Sequence, residues 1–158
     1  MIRFEKAKPQ DAKALARVSW EAFDHDAHYG APGPGGPPGY KSDRWQSKMM
    51  QIVHYYKISD DNRIIGGLIV FDQGRGHFEL GRIFLHPDDQ NKGIGTQALV
   101  FMEQTFPQAT RWTLGTPAWA RRNQHFYEKN GYVRIGLVGD GEEVRYVKHM
   151  REAMPASD

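Results

Sequence analysis

Between a stretch that reads as a strand, Phe78 to Leu85, and a helical run stands His86-Pro87-Asp88-Asp89-Gln90-Asn91-Lys92-Gly93-Ile94-Gly95-Thr96. The strand has apolar residues on both faces, as a buried central strand does. The helix shows Ile94, Ala98, Phe101, Met102 and Thr105 at helical spacing until Pro107 stops it. A Gly-x-Gly turn at such a junction presents free backbone N–H groups at the positive end of a helix dipole. Without a Cβ at Gly93 and Gly95 an anion can come close to them. One charge–dipole contact is worth only ~0.3–2 kcal/mol, so several amides must converge on one phosphate. The junction therefore reads as a cradle for a pyrophosphate, and it ties a sheet strand, a loop and a helix into one geometry.

Two well-known phosphate loops compete for this pattern. No Lys-Ser/Thr follows a Gly-x-x-x-x-Gly, which excludes a nucleoside triphosphate P-loop. A dinucleotide fingerprint needs a third small residue, and Ala98 supplies it, so that reading stays open on the glycines. Its context is poorer: the helix begins far into the chain, and the next strand ends without an acidic residue.

The pattern that remains, Gln90-Asn91-Lys92-Gly93-Ile94-Gly95 after Ile83-x-Leu85-x-Pro87, resembles the acetyl-coenzyme A loop of the GCN5-related N-acetyltransferases. A second stretch, Asn123-Gln124-His125-Phe126-Tyr127-Glu128-Lys129-Asn130-Gly131-Tyr132, is similar to that family's other signature. The two come in the family's order and spacing and together cover about Phe78 to Ile135. The resemblance implies the family's α+β fold, acetyl-CoA as cofactor, and direct transfer of an acetyl group to a primary amine of a small molecule or peptide. For the coenzyme it implies Ile83, Phe84 and Leu85 through their backbone, the loop Gln90, Asn91, Lys92, Gly93, Ile94, Gly95 and Thr96, and Asn123 and Tyr127 on the following helix. Lys92 is preferred over Arg121 and Arg122 as the cation facing the phosphates. One departure is Ala120, where many members carry asparagine seven residues before the tyrosine. Asn123, one turn before Tyr127 on the same face, is the candidate replacement. The substitution also gives the alternative its footing: a non-catalytic coenzyme A-binding module on the same fold.

Periodicity along the chain agrees with that fold. Ile2 to Ala7 alternates as a strand; Pro9 and Asp11 open a helix with Leu15, Val18, Ala22 and Phe23 on one stripe. Gly30 to Gly39 is Pro and Gly rich and can form nothing regular. A second helix is expected from Asp43 to Met50, then a hairpin of Val53 to Ile58 and Ile64 to Phe71 across Ser59 to Asn62. Beyond the central helix, Trp112 to Leu114 reads as a short strand. Thr116-Pro117 reads as a helix start whose helix carries Trp119, Asn123, Phe126, Tyr127 and Asn130 on one side, with Gly131 as its end. Tyr132 to Val138 and Glu143 to Lys148 close the chain as a hairpin. The count is about seven strands in a mixed sheet and about four helices, in one domain over residues 1–150 with a tail at 151–158.

Acetyl transfer needs an amine relieved of its proton and a leaving thiolate given one. Deprotonating an alkylammonium at pH 7 costs about 4 kcal/mol at ~1.36 kcal/mol per pKa unit, which a general base lowers. Glu79, eleven residues ahead of Gln90, matches the strand glutamate of family members that use one. Gly81, two residues on, marks a candidate bulge that opens room for the acetyl group. As a purely structural residue, Glu79 would instead be solvated or pair with Arg82 or Arg75. Tyr127 is the candidate acid, since a phenol of pKa ~10 is protonated at neutral pH and can serve a thiolate of pKa ~8.5.

The Pro/Gly stretch is expected to border the acceptor, with Asp24, Tyr29, Tyr40 and Trp45 lining the amine site. Asp24-His25-Asp26-Ala27-His28 has the residue types of a metal site but no third cluster at ligand spacing, so no metal is expected. The sequence has no cysteine, which excludes disulfides, thiolate metal ligands and a cysteine nucleophile. Its net charge of +2 comes from scattered residues and gives no reason to expect nucleic acid. No apolar run approaches the ~20 residues of a membrane span, and the first residues are not a signal peptide, so the expected compartment is cytoplasmic. The resemblance admits a homodimer.

Overall fold

A computed structural model describes residues 1–150; the expected tail at 151–158 lies outside the described residues. Seven strands form one sheet: β1 (Ile2–Lys6), β2 (His54–Asp60), β3 (Arg63–Gly74), β4 (His77–Leu85), β5 (Arg111–Pro117), β6 (Val133–Val138) and β7 (Glu143–His149). Four α-helices flank it: α1 (Ala12–His25), α2 (Asp43–Ile52), α3 (Ile94–Thr105) and α4 (Arg121–Lys129). The strand order is β1-β2-β3-β4-β5-β7-β6, antiparallel throughout except between β4 and β5. A doubly wound dinucleotide fold requires a run of parallel strands, so this topology closes the reading that Ala98 had left open.

Each face of the sheet is covered by one pair of helices. On one face, Leu99 and Met102 of α3 and Tyr127 of α4 pack with Phe78, Leu80, Trp112, Leu114 and Tyr146. On the other, Leu15, Val18 and Ala22 of α1 pack with Tyr55, Ile69 and Phe84, and Trp45 and Met49 of α2 join them. The stretch from Gly30 to Gly39 forms bends and turns only. It ends at Ser42, which caps α2 by accepting from the Trp45 amide at 3.0 Å.

Two features of β4 position the site. Arg82 pairs with Ile69 and Leu80 with Val70, so Gly81 has no partner and forms a bulge. A methyl group at Gly81 would run into the Phe71 ring, which is why glycine stands there. In an unbroken strand residues three apart face opposite sides. Here the extra residue puts Glu79, opposite Phe71, and Arg82, opposite Ile69, on the same face. The second feature is that β4 meets β5 only where His77, Phe78 and Glu79 pair with Arg111, Trp112 and Thr113. Beyond Glu79 the two strands separate, and one edge of β4 through Leu85 is left without a sheet neighbour.

The structure corrects the start of α4. Thr116 and Pro117 do not cap a helix; they extend β5, paired with Val144 and Glu143 of β7. Beyond Thr113, β5 has no neighbour on its β4 side and is an edge there, where proline is tolerated. The Ala118 amide then donates to Glu142 at 2.8 Å, and the helix begins at Arg121 behind Ala120. Trp119 consequently lies ahead of the helix and not on its face. The strand expected over Trp112 to Leu114 is longer for the same reason. The first hairpin turns on Asp61-Asn62 alone, Ser59 and Asp60 belonging to β2.

Candidate active site

The loop leaving β4 is tied down before it reaches the glycines. His86 accepts from the Asp88 amide through Nδ1 at 3.1 Å, and its Nε2 lies 2.6 Å from Glu21 on α1. Gln90 turns back and donates to the Leu85 carbonyl at 3.0 Å, while its Oε1 is buried without a partner. Asn91 (φ 62°) and Gly93 (φ 80°) are both left-handed, and Gly93 is the N-cap of α3. The Gln97 amide is the first to find a helical acceptor, the Gly93 carbonyl at 3.2 Å. The amides ahead of it are the orphans every helix start leaves, and here they open toward a cavity.

The two glycines are needed for different reasons. At Gly93 a Cβ would meet nothing within 4 Å, so the requirement is the left-handed backbone. At Gly95 the backbone is ordinary, but a Cβ would stand 3.0 Å from the Phe126 ring of α4. Gly93 aims the amides, and Gly95 lets α4 come close to them.

A cavity of about 440 Å³ lies between this loop, the free edge of β4 and α4. Ile83, Phe84, Leu85, Gln90, Asn91, Gly93, Gly95 and Thr96 border it, opposite Asn123, Phe126 and Tyr127. Two residues expected there are elsewhere. Ile94 is buried in the core, and Lys92 is exposed with its ammonium 3.9 Å from Asp89. Asn123 donates to Thr116 Oγ1 at 3.3 Å, which leaves its carbonyl oxygen for the cavity. The Tyr127 side chain is buried against Tyr132 and Tyr146, and burial pushes its phenol above the usual value. A residue so placed stays protonated through the neutral range.

Glu79 sits on the last rung shared by β4 and β5 and does not border this cavity. Its Oε1 accepts from Arg145 Nη2 of β7 at 2.5 Å and from the Thr113 hydroxyl at 3.1 Å. The partner is thus neither Arg82 nor Arg75. Thr113 Oγ1 lies 2.7 Å from His77 Nε2, and Arg111 lies 3.2 Å from His77 Nδ1. Burial, with Arg111 adding to it, lowers the His77 pKa, so the ring is neutral and donates through Nε2. The donors run from Arg111 through His77 and Thr113 to the Glu79 carboxylate.

The four residues expected around the amine are held by other contacts. Asp24 accepts from Trp20 Nε1 and from the Tyr40 hydroxyl, each at 2.8 Å. Arg122 stacks 3.6 Å over Tyr29, and Arg82 stacks 4.0 Å over Trp45. None of the four borders the cavity; Asp26 and Arg122 do, 3.5 Å from each other. Burial raises the Asp26 carboxyl above its usual value against the opposing pull of Arg122. Sequence reasoning placed Arg122 among the phosphate-binding candidates and met Asp26 only within the Asp24–His28 run, weighed there as a metal site and set aside, without singling it out for this cavity.

Residues 51–134 match the family described as an acetyltransferase (GNAT) domain. The uncharacterized protein YrkN of Bacillus subtilis (strain 168) is 30% identical over 73 residues, 46% of this chain. That match spans 40% of YrkN's own length. Among solved structures, the PaiA N-acetyltransferase of Thermoplasma acidophilum, in complex with coenzyme A, superposes with a TM-score of 0.81 at 18% identity. It covers 95% of this chain and 99% of its own. YncA of Salmonella typhimurium, a putative acetyltransferase with its cofactor acetyl-CoA, superposes with a TM-score of 0.67 at 12% identity over 99% of this chain and 98% of its own. These likenesses extend the shared fold over nearly the whole chain.

Proposed function

The chain belongs to the GCN5-related acetyltransferase (GNAT) family, and from that premise we propose that it transfers an acetyl group from acetyl-CoA directly to a primary amine of a small molecule or peptide. The observation that carries this reading is the cavity itself. It joins the outward amides of the Gln90–Thr96 loop, the unpaired edge of β4 and Tyr127 in one continuous surface. Those features fit the coenzyme. Left-handed backbone at Asn91 and Gly93, with open space above Gly93, suits a diphosphate. The strand edge from Ile83 to Leu85 offers backbone groups to an amide-bearing arm, and Gln90 Oε1 waits for a donor. Coenzyme A and acetyl-CoA accompany PaiA and YncA, which share this fold.

When bound, acetyl-CoA supplies the activated thioester. Glu79 takes the proton of the incoming amine. Arg145 and Thr113 both engage Oε1, so Oε2 remains the basic atom. Tyr127 acts at the leaving sulfur. Its pKa lies above ~10 and a thiol's near ~8.5, so full proton transfer is uphill by at least about 2 kcal/mol. Tyr127 therefore donates a hydrogen bond as charge develops, and the proton crosses late. Asn123 and the loop amides orient the coenzyme.

The test is thiol release from acetyl-CoA with a panel of amines, for the wild type and Tyr127→Phe. The expected result is kcat reduced about 10²-fold with the acetyl-CoA KM unchanged. Equal kcat would remove the acid role. Binding of acetyl-CoA without turnover on any amine would instead favour a non-catalytic coenzyme-binding module, the reading that Ala120 supports.

A further inference from the structure

Arg82 sits one residue past the bulge, and its guanidinium is held in an unusual way. One face stacks 4.0 Å from the Trp45 ring, and Nη2 donates to the Pro38 carbonyl at 2.8 Å. Nη1 is buried without any hydrogen-bond partner. Among the described residues no carboxylate lies within ion-pair distance of Arg82, whereas Arg63 and Arg122 each have one and Arg145 has two. Withdrawing a guanidinium from water without an anion is costly. Burial lowers its pKa to about 10, which shows the same strain on the charged form. The Trp45 face favours the cation but supplies no anion, and the Pro38 carbonyl would accept as well from a neutral amide.

Position gives the charge a use. The bulge sets Arg82 on the same face as Glu79, two residues apart along the partner strand, roughly 7 Å. A guanidinium presents parallel donors that match the two oxygens of a carboxylate. In this structure the Pro38 carbonyl occupies one of those donors and the other is unsatisfied. Pro38 belongs to the Gly30–Gly39 stretch, which forms no helix or strand, so the group standing at Nη2 is a loop carbonyl that an acceptor carboxylate would have to displace.

We propose that Arg82 reads a carboxylate on the acceptor: the substrate is a small amino acid, its amine at Glu79 and its carboxylate in place of the Pro38 carbonyl. This rests on the transferase reading and narrows it from any amine to an amino carboxylate.

The experiment compares glycine, β-alanine and 4-aminobutanoate with their carboxamides, in wild type, Arg82→Gln and Arg82→Lys. The amides differ in amine basicity, so the quantity read is the change in the carboxylate-to-amide ratio of kcat/KM on substitution, in which basicity cancels. Arg82→Gln should lower this ratio about 10- to 100-fold for at least one chain length, the loss expected for a hydrogen bond to a charged group. Arg82→Lys should restore part of it, and the acetyl-CoA KM should not move. A residue that only held the loop would lower both acceptors equally, and a ratio unchanged by Arg82→Gln overturns the proposal. If no amine is turned over, the transferase reading has failed. Calorimetric binding of 4-aminobutanoate against its amide, with coenzyme A present, then still decides the role of Arg82: tighter binding of the carboxylate upholds it, and equal binding ends it.

Discussion

Replacing Gly93 by alanine tests whether the loop works by aiming amides. The residue is the N-cap of α3 at φ 80° and ψ 4°. An added Cβ would find nothing within 4 Å, so any loss of stability is conformational and not steric. Holding an L-residue in the left-handed region costs about 1–2 kcal/mol. Restricting the unfolded chain returns about 0.4–1 kcal/mol of that. Urea denaturation should therefore show Gly93→Ala destabilised by no more than about 1.6 kcal/mol at an unchanged m-value. Relaxation toward negative φ would rotate the first turn and misdirect the amides of Ile94 and Gly95. Acetyl-CoA Kd, by calorimetry, should then weaken about 10-fold, the equivalent of one lost hydrogen bond to a charged group. Gly74→Ala is the control: Gly74 is also left-handed (φ 88°) with open space around an added Cβ but lies at the end of β3, so it should lose stability similarly and leave the affinity unchanged. Two results would refute the reasoning. A loss above ~3 kcal/mol would mean a contact that the open space around Gly93 does not contain. Normal acetyl-CoA affinity in a destabilised variant would mean that these amides do not hold the diphosphate.

Two further perturbations follow from the same geometry. Gly81→Ala forces Phe71 to move or the bulge to anneal, so stability should fall by about 1–3 kcal/mol and activity more than the folded fraction accounts for; a variant of full activity would show the bulge to be dispensable. Asp26 has a folded pKa above its usual value because burial outweighs Arg122, so its contribution to stability is full below pH 3.8 and is lost as pH rises through the raised pKa. Asp26→Asn should therefore melt higher than wild type at pH 7, with the difference shrinking below pH 4; a lower melting temperature at pH 7 would mean that the pair with Arg122 dominates.

The strand–loop–helix geometry around Gly93 was legible in the sequence because its cause is local. A left-handed turn, a helix start and Pro107 as terminator are each written within a few residues of where they act. The α4 start was misread because Thr-Pro before a polar run meets the local rule for a cap, while its true state is set by pairing with Val144 and Glu143 almost thirty residues later. Glu79 could be placed on its strand but not given a partner, since Arg145 is 66 residues away and arrives through β7. The role argued for Arg82 was hidden for a different reason. Strand periodicity assigns it to the face opposite Glu79, and only the unpaired Gly81 reverses that parity. Gly81 itself was visible as a bulge candidate, but its effect on the far side of the strand depended on the register with β3.

The short run of pairing between β4 and β5 also has a mechanical consequence. Strands β1–β4 and β5–β7 are in effect two panels stitched by three rungs, and below that seam Phe78 and Trp112 are clamped by α3. The gap between the panels leaves ladder groups of β4 and β5 without a strand partner, and under the proposed function the cofactor's arm would thread it. Amide exchange should slow along Ile83–Leu85 and at Gly115 and Thr116 when acetyl-CoA is added, while the hinge at Glu79 and Thr113, already sewn, stays as it was.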